Sequence, residues 1–389
     1  MKNIKLPTPI LGSNLANLVV ELETLRNNNL TSEINIFVFN QIKTLLNRLE
    51  ILGSARIEGN NTTVMEYVEK RQEMDSENDK DGSSDKHTSI SESIREILNI
   101  EEAVKYCEEY IKTGRRINRM LISDIHKLVV KDLKREGSQT PGEYRKINLS
   151  INKSNVILSD YTQVELDMEE LFNFVEEEKN ISNKMMKNAV AHHRYVIVHP
   201  FDNGNGRTAR IFTYACLLRD GYSLVEKVIN PTAVFCSNRN TYYDMLAIAD
   251  KNTLEGMEAW CEYVLSGVKK EFEKIKKLTE SDFVMDKIIK NTVEFSKDRN
   301  IINDKEYEIL KYFSKKIEMP TVDLSTILPG MSKGRYSQIF KELRDRKLII
   351  ETRRGFHVIN FNGPLMRGLI KSLADIDYLP VQDETTSIL

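Results

Sequence analysis

The sequence VHPFDNGNGRTAR, residues 198–210, carries the densest chemical signal in the chain and lies between two segments with helical spacing. It places an imidazole at His199, then a glycine-flanked turn, then two arginines at Arg207 and Arg210. Glycine lets a backbone approach a ligand closely, and a turn that leads into a helix points unpaired N–H groups and the positive end of the helix dipole outward. The stretch therefore predicts a phosphate-binding turn at the start of a helix.

The side chains around this turn favour chemistry at a phosphorus atom. Arg207, at the helix start, can hold phosphate oxygens with paired hydrogen bonds. A histidine imidazole ordinarily titrates near neutral pH, so His199 can take a proton from an incoming hydroxyl. A metal cluster of His192, His193 and His199 is the weaker interpretation, because adjacent histidines point to different faces of a helix.

These residues resemble the signature of the Fic family, HPFx(D/E)GNGRxxR. The matching positions are His199, Pro200, Phe201, Gly204, Asn205, Gly206, Arg207 and Arg210. The resemblance implies an enzyme that transfers AMP from ATP, its co-substrate, to a hydroxyl side chain of a target protein. It assigns the general base to His199 and the outer phosphates to Arg207, while Gly204, Asn205 and Gly206 form the anion hole. The resemblance covers about residues 1–275.

One position departs from the signature. The family's acidic residue, which ligates the Mg²⁺ that bridges the phosphates, is Asn203 here, and the acid Asp202 falls one residue early. An amide oxygen can coordinate magnesium, but it brings no charge to this hard cation. Three outcomes stay open: Asn203 still ligates, Asp202 replaces it through a local twist, or metal-dependent transfer is impaired.

The sequence SARIEGN, residues 54–60, resembles the family's inhibitory motif, (S/T)xxxE(G/N), with Ser54 and Glu58 at its two defining positions. The resemblance implies that Glu58 pairs with Arg210 and blocks productive binding of ATP. A carboxylate close to phosphate oxygens also repels them. We therefore expect an autoinhibited enzyme.

Two further segments resemble substrate-binding parts of the family. NRNTYYDMLAIAD, residues 238–250, resembles the adenosine-pocket segment, with Tyr242 and Tyr243 as walls and Asp250 where asparagine is frequent. Aromatic residues on helices also pack in cores, and this alternative stays open for both tyrosines. After PGEYR, the sequence NLSINKSNVI predicts a small β-hairpin, which resembles the flap that holds a target segment by strand addition near residues 144–158.

Composition indicates a globular protein. Charged residues make up 29% and hydrophobic residues 40%, and the net charge is −2. The four cysteines form no CxxC pair, so neither a zinc knuckle nor a redox dithiol is indicated. The N-terminal residues lack the apolar core of a signal peptide, and we expect no membrane partner and a cytoplasmic protein.

The predicted fold is mainly α: a Fic-type helical core with a small β-hairpin flap, plus a C-terminal winged helix-turn-helix. The predicted parts are an N-terminal helical region with the inhibitory helix and a mobile loop (1–87), the catalytic core (88–278), a helical connector (279–300), the winged helix (301–375) and a tail (376–389). The polar stretch 69–87 is the predicted loop, because it offers nothing to bury.

The C-terminal region has three helical segments followed by two strands around Arg354-Gly355, the order of a winged helix. Its basic residues are Lys333, Arg335, Lys341, Arg344, Arg346, Lys347, Arg353 and Arg354. A basic recognition helix and wing can meet DNA phosphates, but winged helices also make protein contacts. DNA and a second copy of the chain therefore both stay open as partners.

Two functions of different classes follow. In the first, the chain is a regulated AMP transferase acting on an unknown target protein. In the second, Asn203 weakens the catalytic core and the chain is a nucleotide-sensing DNA-binding regulator. Removal of AMP from a modified target, with Glu58 positioning a water, is a related third option.

Overall fold

The computed structural model describes residues 6–27, 33–78, 90–150, 156–177, 183–222 and 232–380. The described helices are α1 (Asn14–Asn27), α2 (Ile36–Ile57), α3 (Val64–Asn78), α4 (Glu92–Lys112), α5 (Arg119–Val129), α6 (Val164–Glu176), α7 (Lys184–Val198), α8 (Asn205–Arg219), α9 (Thr232–Cys236), α10 (Arg239–Ala249), α11 (Leu254–Leu278), α12 (Ser281–Phe283), α13 (Lys290–Asp298), α14 (Asp304–Leu310), α15 (Leu324–Ile327), α16 (Lys333–Asp345) and α17 (Met366–Asp375). The described strands are β1 (Met319–Pro320), β2 (Ile349–Arg353) and β3 (Phe356–Ile359). The predicted mainly α fold is confirmed.

The chain divides into two compact units. The first comprises Met1–Asn29, Glu50–Thr62 and Asp81–Phe272, and the second comprises Leu30–Leu49, Thr63–Lys80 and Glu273–Leu389. The domain limits predicted at residues 87, 278, 300 and 375 stay predictions. Among the described helices, none has both the length and the apolar composition that crossing a bilayer requires.

Helices α4 to α8 form the centre of the first unit. Helix α7 packs on α6 and α8, and α8 also contacts α4 and α5. Helix α5 shows why these segments pack, because its apolar residues recur at helical spacing and face the core. Those buried residues are Leu121, Ile122, Ile125 and Val129. The single tryptophan, Trp260, is fully buried and donates its indole N–H to the carbonyl of Ala189 at 2.8 Å.

Part of the predicted polar loop is helical. Helix α3 continues to Asn78, so residues 69–78 were wrongly predicted as loop, and residues 79–87 lie outside the described residues. The stretch is polar, but it contains good helix formers such as glutamate, lysine, arginine, glutamine and methionine. Lys70 and Glu73 add an ion pair one helical turn apart, at 3.0 Å.

The second unit contains the antiparallel sheet, with strand order β1-β3-β2. Strand β2 pairs with β3 in the register Ile349↔Ile359, and β1 pairs with β3 in the register Met319↔His357. Helices α14, α15 and α16 precede the β2–β3 hairpin, which agrees with the predicted order of three helices and two strands. Strand β1 was not predicted, because two residues give no alternating pattern.

The hairpin predicted at residues 144–158 is not supported by the described part of that segment. Residues 144–150 and 156–160 contain no strand, and residues 151–155 lie outside the described residues. The carbonyls of Ile147 and Ser159, which would enter a ladder, accept hydrogen bonds from the guanidinium of Arg145 instead. A side chain, rather than strand pairing, therefore joins the two ends of this segment.

Candidate active site

The turn between α7 and α8 has the backbone that its sequence requires. Helix α7 ends at Val198, one residue before His199-Pro200, and proline disfavours the helical conformation in the residue before it. His199 has φ 49° and ψ 61°, a left-handed conformation that is rare for a residue other than glycine. Gly204 has φ 68°, and a Cβ there would lie 2.8 Å from a methyl carbon of Val130. Only glycine fits this position.

The turn opens α8 with unpaired amides. The side chain of Asn205 closes the turn on itself, because its Nδ2 donates to the carbonyl of Phe201 at 2.8 Å and its Oδ1 accepts the Phe201 N–H at 2.9 Å. The N–H groups of the first helical turn have no intrahelical acceptor, and the positive end of the dipole lies there. The arrangement can hold an anion, as the sequence predicts for Gly204, Asn205 and Gly206.

The imidazole of His199 has one basic nitrogen available. Its Nδ1 lies 3.2 Å from the carbonyl of Val196, which can only accept, so Nδ1 carries the proton and Nε2 the lone pair. Among the described residues no hydrogen-bond partner of Nε2 is present. Burial lowers the pKa of His199 below its ordinary value, although the Val196 carbonyl opposes the shift. A neutral imidazole with a free Nε2 can act as a general base.

Arg210 is held by the segment SARIEGN. Its side chain is 1% exposed, and its Nε donates to the Ser54 hydroxyl at 2.8 Å. Its Nη2 donates to the Ser54 carbonyl at 2.8 Å and to Glu58 Oε1 at 2.9 Å. Burial alone would raise the pKa of Glu58, but Arg210 and Arg207 hold it below its ordinary value. Glu58 is therefore a carboxylate at neutral pH, and the predicted contact with Arg210 is present.

Glu58 also stands over the anion-binding turn. A Cβ built on Gly206 would lie 2.1 Å from Glu58 Oε1, so this carboxylate oxygen fills the space above the glycine. Phosphate oxygens placed there would meet both the steric bulk and the negative charge of Glu58. Glu58 in this position therefore excludes a phosphate oxygen from the same space.

Arg207 is held by a second carboxylate, which sequence reasoning missed. Its guanidinium is 1% exposed and donates to Glu96 Oε1 at 2.8 Å and to the Glu136 carbonyl at 3.0 Å. Burial raises the pKa of Glu96 above its ordinary value, against the opposing effect of Arg207. Asn60, in the segment SARIEGN, donates to the other Glu96 oxygen at 2.8 Å. The same segment therefore contacts both arginines, one directly and one through Glu96.

The two candidate magnesium ligands point to protein partners. The Asp202 carboxylate accepts from the Ser138 hydroxyl at 2.5 Å and from the backbone N–H groups of Gln139 at 3.0 Å and Asn203 at 2.9 Å. The Asn203 Oδ1 accepts the N–H of Gly204 at 2.7 Å. Across the described residues, no group of three or more His, Cys, Asp or Glu could hold a metal ion. As they lie, Asp202 and Asn203 do not fit a magnesium site.

Of the two tyrosines predicted to line the adenosine pocket, Tyr242 is buried and Tyr243 is exposed. Tyr242 is 2% exposed, and its hydroxyl lies 2.9 Å from His192 Nε2, so it packs in the core. Tyr243 is 42% exposed, and its ring lies 5.7 Å from the guanidinium carbon of Arg239. Asp250 contacts His193 Nε2 at 2.9 Å. Of the three residues, Tyr243 is the most exposed.

Comparison with known proteins places this turn in a family. The model of the Fic/DOC family matches residues 116–217, which include His199 and both arginines of the turn. Residues 116–217 are a Fic/DOC domain. A protein adenylyltransferase Fic of Aedes aegypti is 27% identical over 216 residues, which cover 52% of this chain and 37% of that protein. The one of Nematostella vectensis is 29% identical over 161 residues, covering 39% and 33%.

A solved structure also has a similar fold over most of this chain. The crystal structure of a Fic family protein from Desulfovibrio desulfuricans G20 aligns with a TM-score of 0.53 at 15% identity, covering 92% of this chain and 98% of that one. At this identity the likeness concerns the fold. The chain spans about a third of the length of the curated relatives it matches, at 37% and 33%.

The Fic/DOC domain also contains a buried histidine that sequence reasoning missed. His126 Nδ1 accepts the Gly142 N–H at 2.8 Å, so the proton is on Nε2, which donates to the Asn203 carbonyl at 3.0 Å. Its ring stacks on Phe201 with centroids 3.7 Å apart. Burial lowers the pKa of His126 to about 4. In the sequence, His126 is marked only as a lone histidine among the apolar residues of α5. A histidine in such a position is more often structural than catalytic.

Proposed function

We propose that the chain is a protein adenylyltransferase, which transfers AMP from ATP to a hydroxyl side chain of a target protein with His199 as the general base. The observation that carries the proposal is the hydrogen bond from His199 Nδ1 to the Val196 carbonyl, 3.2 Å long, which leaves Nε2 basic in the turn that leads into α8 at Asn205. The names of the relatives from Aedes aegypti and Nematostella vectensis support the same reaction.

The proposed step is a displacement at the α-phosphorus of ATP. His199 Nε2 takes the proton of the target hydroxyl as its oxygen attacks. A bond forms between that oxygen and the α-phosphorus, the bond from the α-phosphorus to the bridging oxygen breaks, and pyrophosphate leaves with the electron pair. The amides of Asn205, Gly206 and Arg207 stabilise the charge that develops on the phosphate oxygens. We propose that the target segment binds near residues 144–158, as the resemblance to the Fic family implies.

We propose further that the enzyme is autoinhibited by Glu58. The contact of Glu58 with Arg210, at 2.9 Å, removes an arginine from phosphate binding, and its carboxylate lies where a phosphate must approach Gly206. Both effects oppose ATP in a productive position. Removing this carboxylate clears the space above Gly206 and leaves Arg210 with its two hydrogen bonds to Ser54.

The test uses ATP labelled on the α-phosphate with four proteins: wild type, Glu58→Gly, Glu58→Gly/His199→Ala and Asp132→Gly. Asp132 is an exposed acid with φ 55°, so glycine is tolerated there, and the same charge is removed from a residue that forms no ion pair with Arg207 or Arg210 among the described residues. We expect Glu58→Gly to raise label incorporation into protein at least about tenfold, since freeing one charged contact is worth more than 1.4 kcal/mol. Asp132→Gly should match wild type, and the double variant should incorporate nothing.

Two results would contradict the proposal. Absence of label from Glu58→Gly in the presence of Mg²⁺ and ATP would refute the transferase activity. Label that persists in Glu58→Gly/His199→Ala would refute the role of His199. Label released from the protein by wild type, but not by Glu58→Gly, would favour removal of AMP instead.

The second candidate is a nucleotide-sensing DNA-binding regulator, and the charges of the C-terminal region bear on it. Four predicted DNA-binding residues pair with acids of the same unit: Arg335, Arg344, Arg346 and Arg353. Lys333 and Lys341 on α16 and Arg354 in the hairpin turn are exposed and have no ion pair among the described residues. Lys333→Glu/Lys341→Glu should weaken binding to a labelled duplex and flatten its salt dependence. Unchanged binding would exclude this surface.

A further inference from the structure

Arg145 is a buried cation whose hydrogen bonds all go to backbone carbonyls. Its side chain is 4% exposed, and no ion pair to a carboxylate is present for it among the described residues. Burial lowers the pKa of Arg145 below its ordinary value. The charge of Asp160 opposes this shift but forms no ion pair with Arg145. A buried charge is costly, so the carbonyls that surround it must be held in place to offset that cost. Sequence reasoning quoted this arginine in PGEYR but gave it no role.

One edge of the guanidinium holds the end of α7. Its Nε donates to the His199 carbonyl at 2.8 Å, and Nη2 donates to the Val198 carbonyl at 3.2 Å. The last carbonyls of a helix have no intrahelical partner and carry the negative end of the dipole, so a cation is favourable there. The backbone N–H of Arg145 also donates to the Pro200 carbonyl at 2.8 Å. Arg145 thus contacts three consecutive carbonyls at the base.

These contacts fix the orientation of the base. His199 has a left-handed φ of 49°, which costs about 1–3 kcal/mol in a residue other than glycine and persists only where neighbours enforce it. The His199 N–H is fixed by the Tyr195 carbonyl at 2.9 Å, and its carbonyl by Arg145. With both flanking peptide planes held, the direction of the Cα–Cβ bond of His199 is set.

The other edge of the guanidinium holds both ends of the segment 147–159. Nη1 donates to the Ile147 carbonyl at 2.7 Å, and Nη2 donates to the Ser159 carbonyl. The Ser159 N–H donates a hydrogen bond to the Ile197 carbonyl of α7 at 3.2 Å. One planar group therefore joins the segment to the helix that ends at the base.

We propose that Arg145 is a positioning residue that fixes the catalytic nitrogen of His199 and ties the end of α7 to the carbonyls of Ile147 and Ser159. The inference rests on the proposed transfer of AMP. Arginine is required because its donors lie in a fixed plane and reach four carbonyls, whereas the lysine ammonium offers three donors at one point. The phosphate-binding turn is positioned by other contacts, so the role concerns the acceptor side of the reaction.

The experiment compares Arg145→Lys, Arg145→Met and the control Arg119→Lys, each in the Glu58→Gly background. Arg119 is 56% exposed, and its guanidinium carbon lies 4.7 Å from the centre of the Tyr144 ring. Tyr144 precedes Arg145 in the chain, but Arg119 takes no part in the carbonyl contacts of Arg145. The readout is incorporation of label from ATP into the chain itself, as a function of ATP concentration. All rates are taken below the unfolding transition and normalised to folded protein.

We expect the maximal rate of Arg145→Lys to fall about 100-fold, because a displacement of the base by about 1 Å costs that much. The ATP concentration at half-maximal rate should change less than about threefold, since the phosphate contacts are untouched. Arg119→Lys should stay within about twofold. A merely structural role predicts the same rate per folded molecule for all variants, and that outcome would overturn the inference.

A second measurement needs no catalysis. Histidine ring nitrogens are followed by NMR against pH, with the His199 signals assigned by their loss in His199→Ala. The groups that shift its pKa are Arg145, Glu58 and the Val196 carbonyl, and Glu58 is absent from this background. Arg145→Met should raise the pKa of His199 and reduce the share of the Nδ1–H form, while Arg145→Lys keeps the charge. An unchanged ring would refute the inference even if Glu58→Gly transferred no label.

Discussion

Gly206→Ala should reverse the sign of its effect on stability when Glu58 is removed. Gly206 lies in the first turn of α8 with a helical backbone, so alanine introduces no backbone strain. Its methyl carbon would lie 2.1 Å from Glu58 Oε1 and 3.2 Å from Arg210 Nη1. Glu58 ends a flexible side chain and can move, but moving breaks its 2.9 Å contact with Arg210.

Two opposing free energies set the magnitude. Alanine in place of a helical glycine stabilises by about 0.5–1 kcal/mol. Loss of a hydrogen bond to a buried charged group costs about 1.5–3 kcal/mol. With Glu58 present, Gly206→Ala should therefore destabilise the protein by about 0.5–2.5 kcal/mol. In Glu58→Gly the methyl group meets no carboxylate, and the substitution should stabilise by about 0.5–1 kcal/mol.

The assay is urea unfolding at pH 7, followed by tryptophan fluorescence. Trp260 is the single tryptophan, is fully buried and belongs to the first unit, so its signal reports the unit that contains Gly206. The four proteins of the cycle are wild type, each single variant and the double variant. Their coupling free energy should be about 1.5–3 kcal/mol.

The control is Gly334→Ala, followed by circular dichroism. Gly334 is a helical glycine of α16 whose added Cβ would meet only the Ser332 hydroxyl, at 4.0 Å. It should stabilise equally with and without Glu58. A coupling between Gly206 and Glu58 below about 0.5 kcal/mol would show that Glu58 does not occupy the space above the anion-binding turn.

Two other substitutions test the surroundings of the turn. Burial lowers the pKa of His126 to about 4, below its ordinary 6.5, so its contribution to stability is present above pH 6.5 and is lost as the pH falls toward 4. The free energy of unfolding in urea of wild type minus that of His126→Gln should therefore shrink by about 2–3 kcal/mol from pH 7 to pH 4.5. A difference that does not change with pH would contradict the buried neutral ring. Asn203→Asp in the Glu58→Gly background restores the acidic position of the Fic signature. The ATP concentration at half-maximal rate should fall about tenfold with Mg²⁺ and should not change in EDTA. An equal change with Mg²⁺ and in EDTA would show that residue 203 holds no magnesium.

The turn itself could be predicted because its determinants are local. Pro200 ends one helix, Gly204 supplies the left-handed residue that starts the next, and the imidazole and arginines occupy fixed offsets from them. Each step follows from properties of single residues. The contact of Glu58 with Arg210 spans 152 positions, and only the resemblance to the Fic signature could predict it.

Glu96 and His126 could not be identified, because their partners are distant in sequence. Glu96 lies 111 positions from Arg207, and α4 carries several other glutamates that the sequence does not distinguish. His126 lies 77 positions from Asn203. In both cases burial selects the residue, and burial depends on how the helices pack. The hairpin predicted near residues 144–158 stays a prediction, because residues 151–155 lie outside the described residues.

The segment SARIEGN gives the proposed inhibition a cooperative character. Glu58 holds Arg210 directly, while Asn60 fixes the carboxylate of Glu96 that holds Arg207. Both arginines of the signature are therefore engaged while one short segment stays in place. Removing Glu58 alone leaves Arg210 bound to Ser54 and Arg207 bound to Glu96. Full release requires displacement of the whole segment, and a ligand can drive it only by binding more tightly to the displaced form than to the closed one.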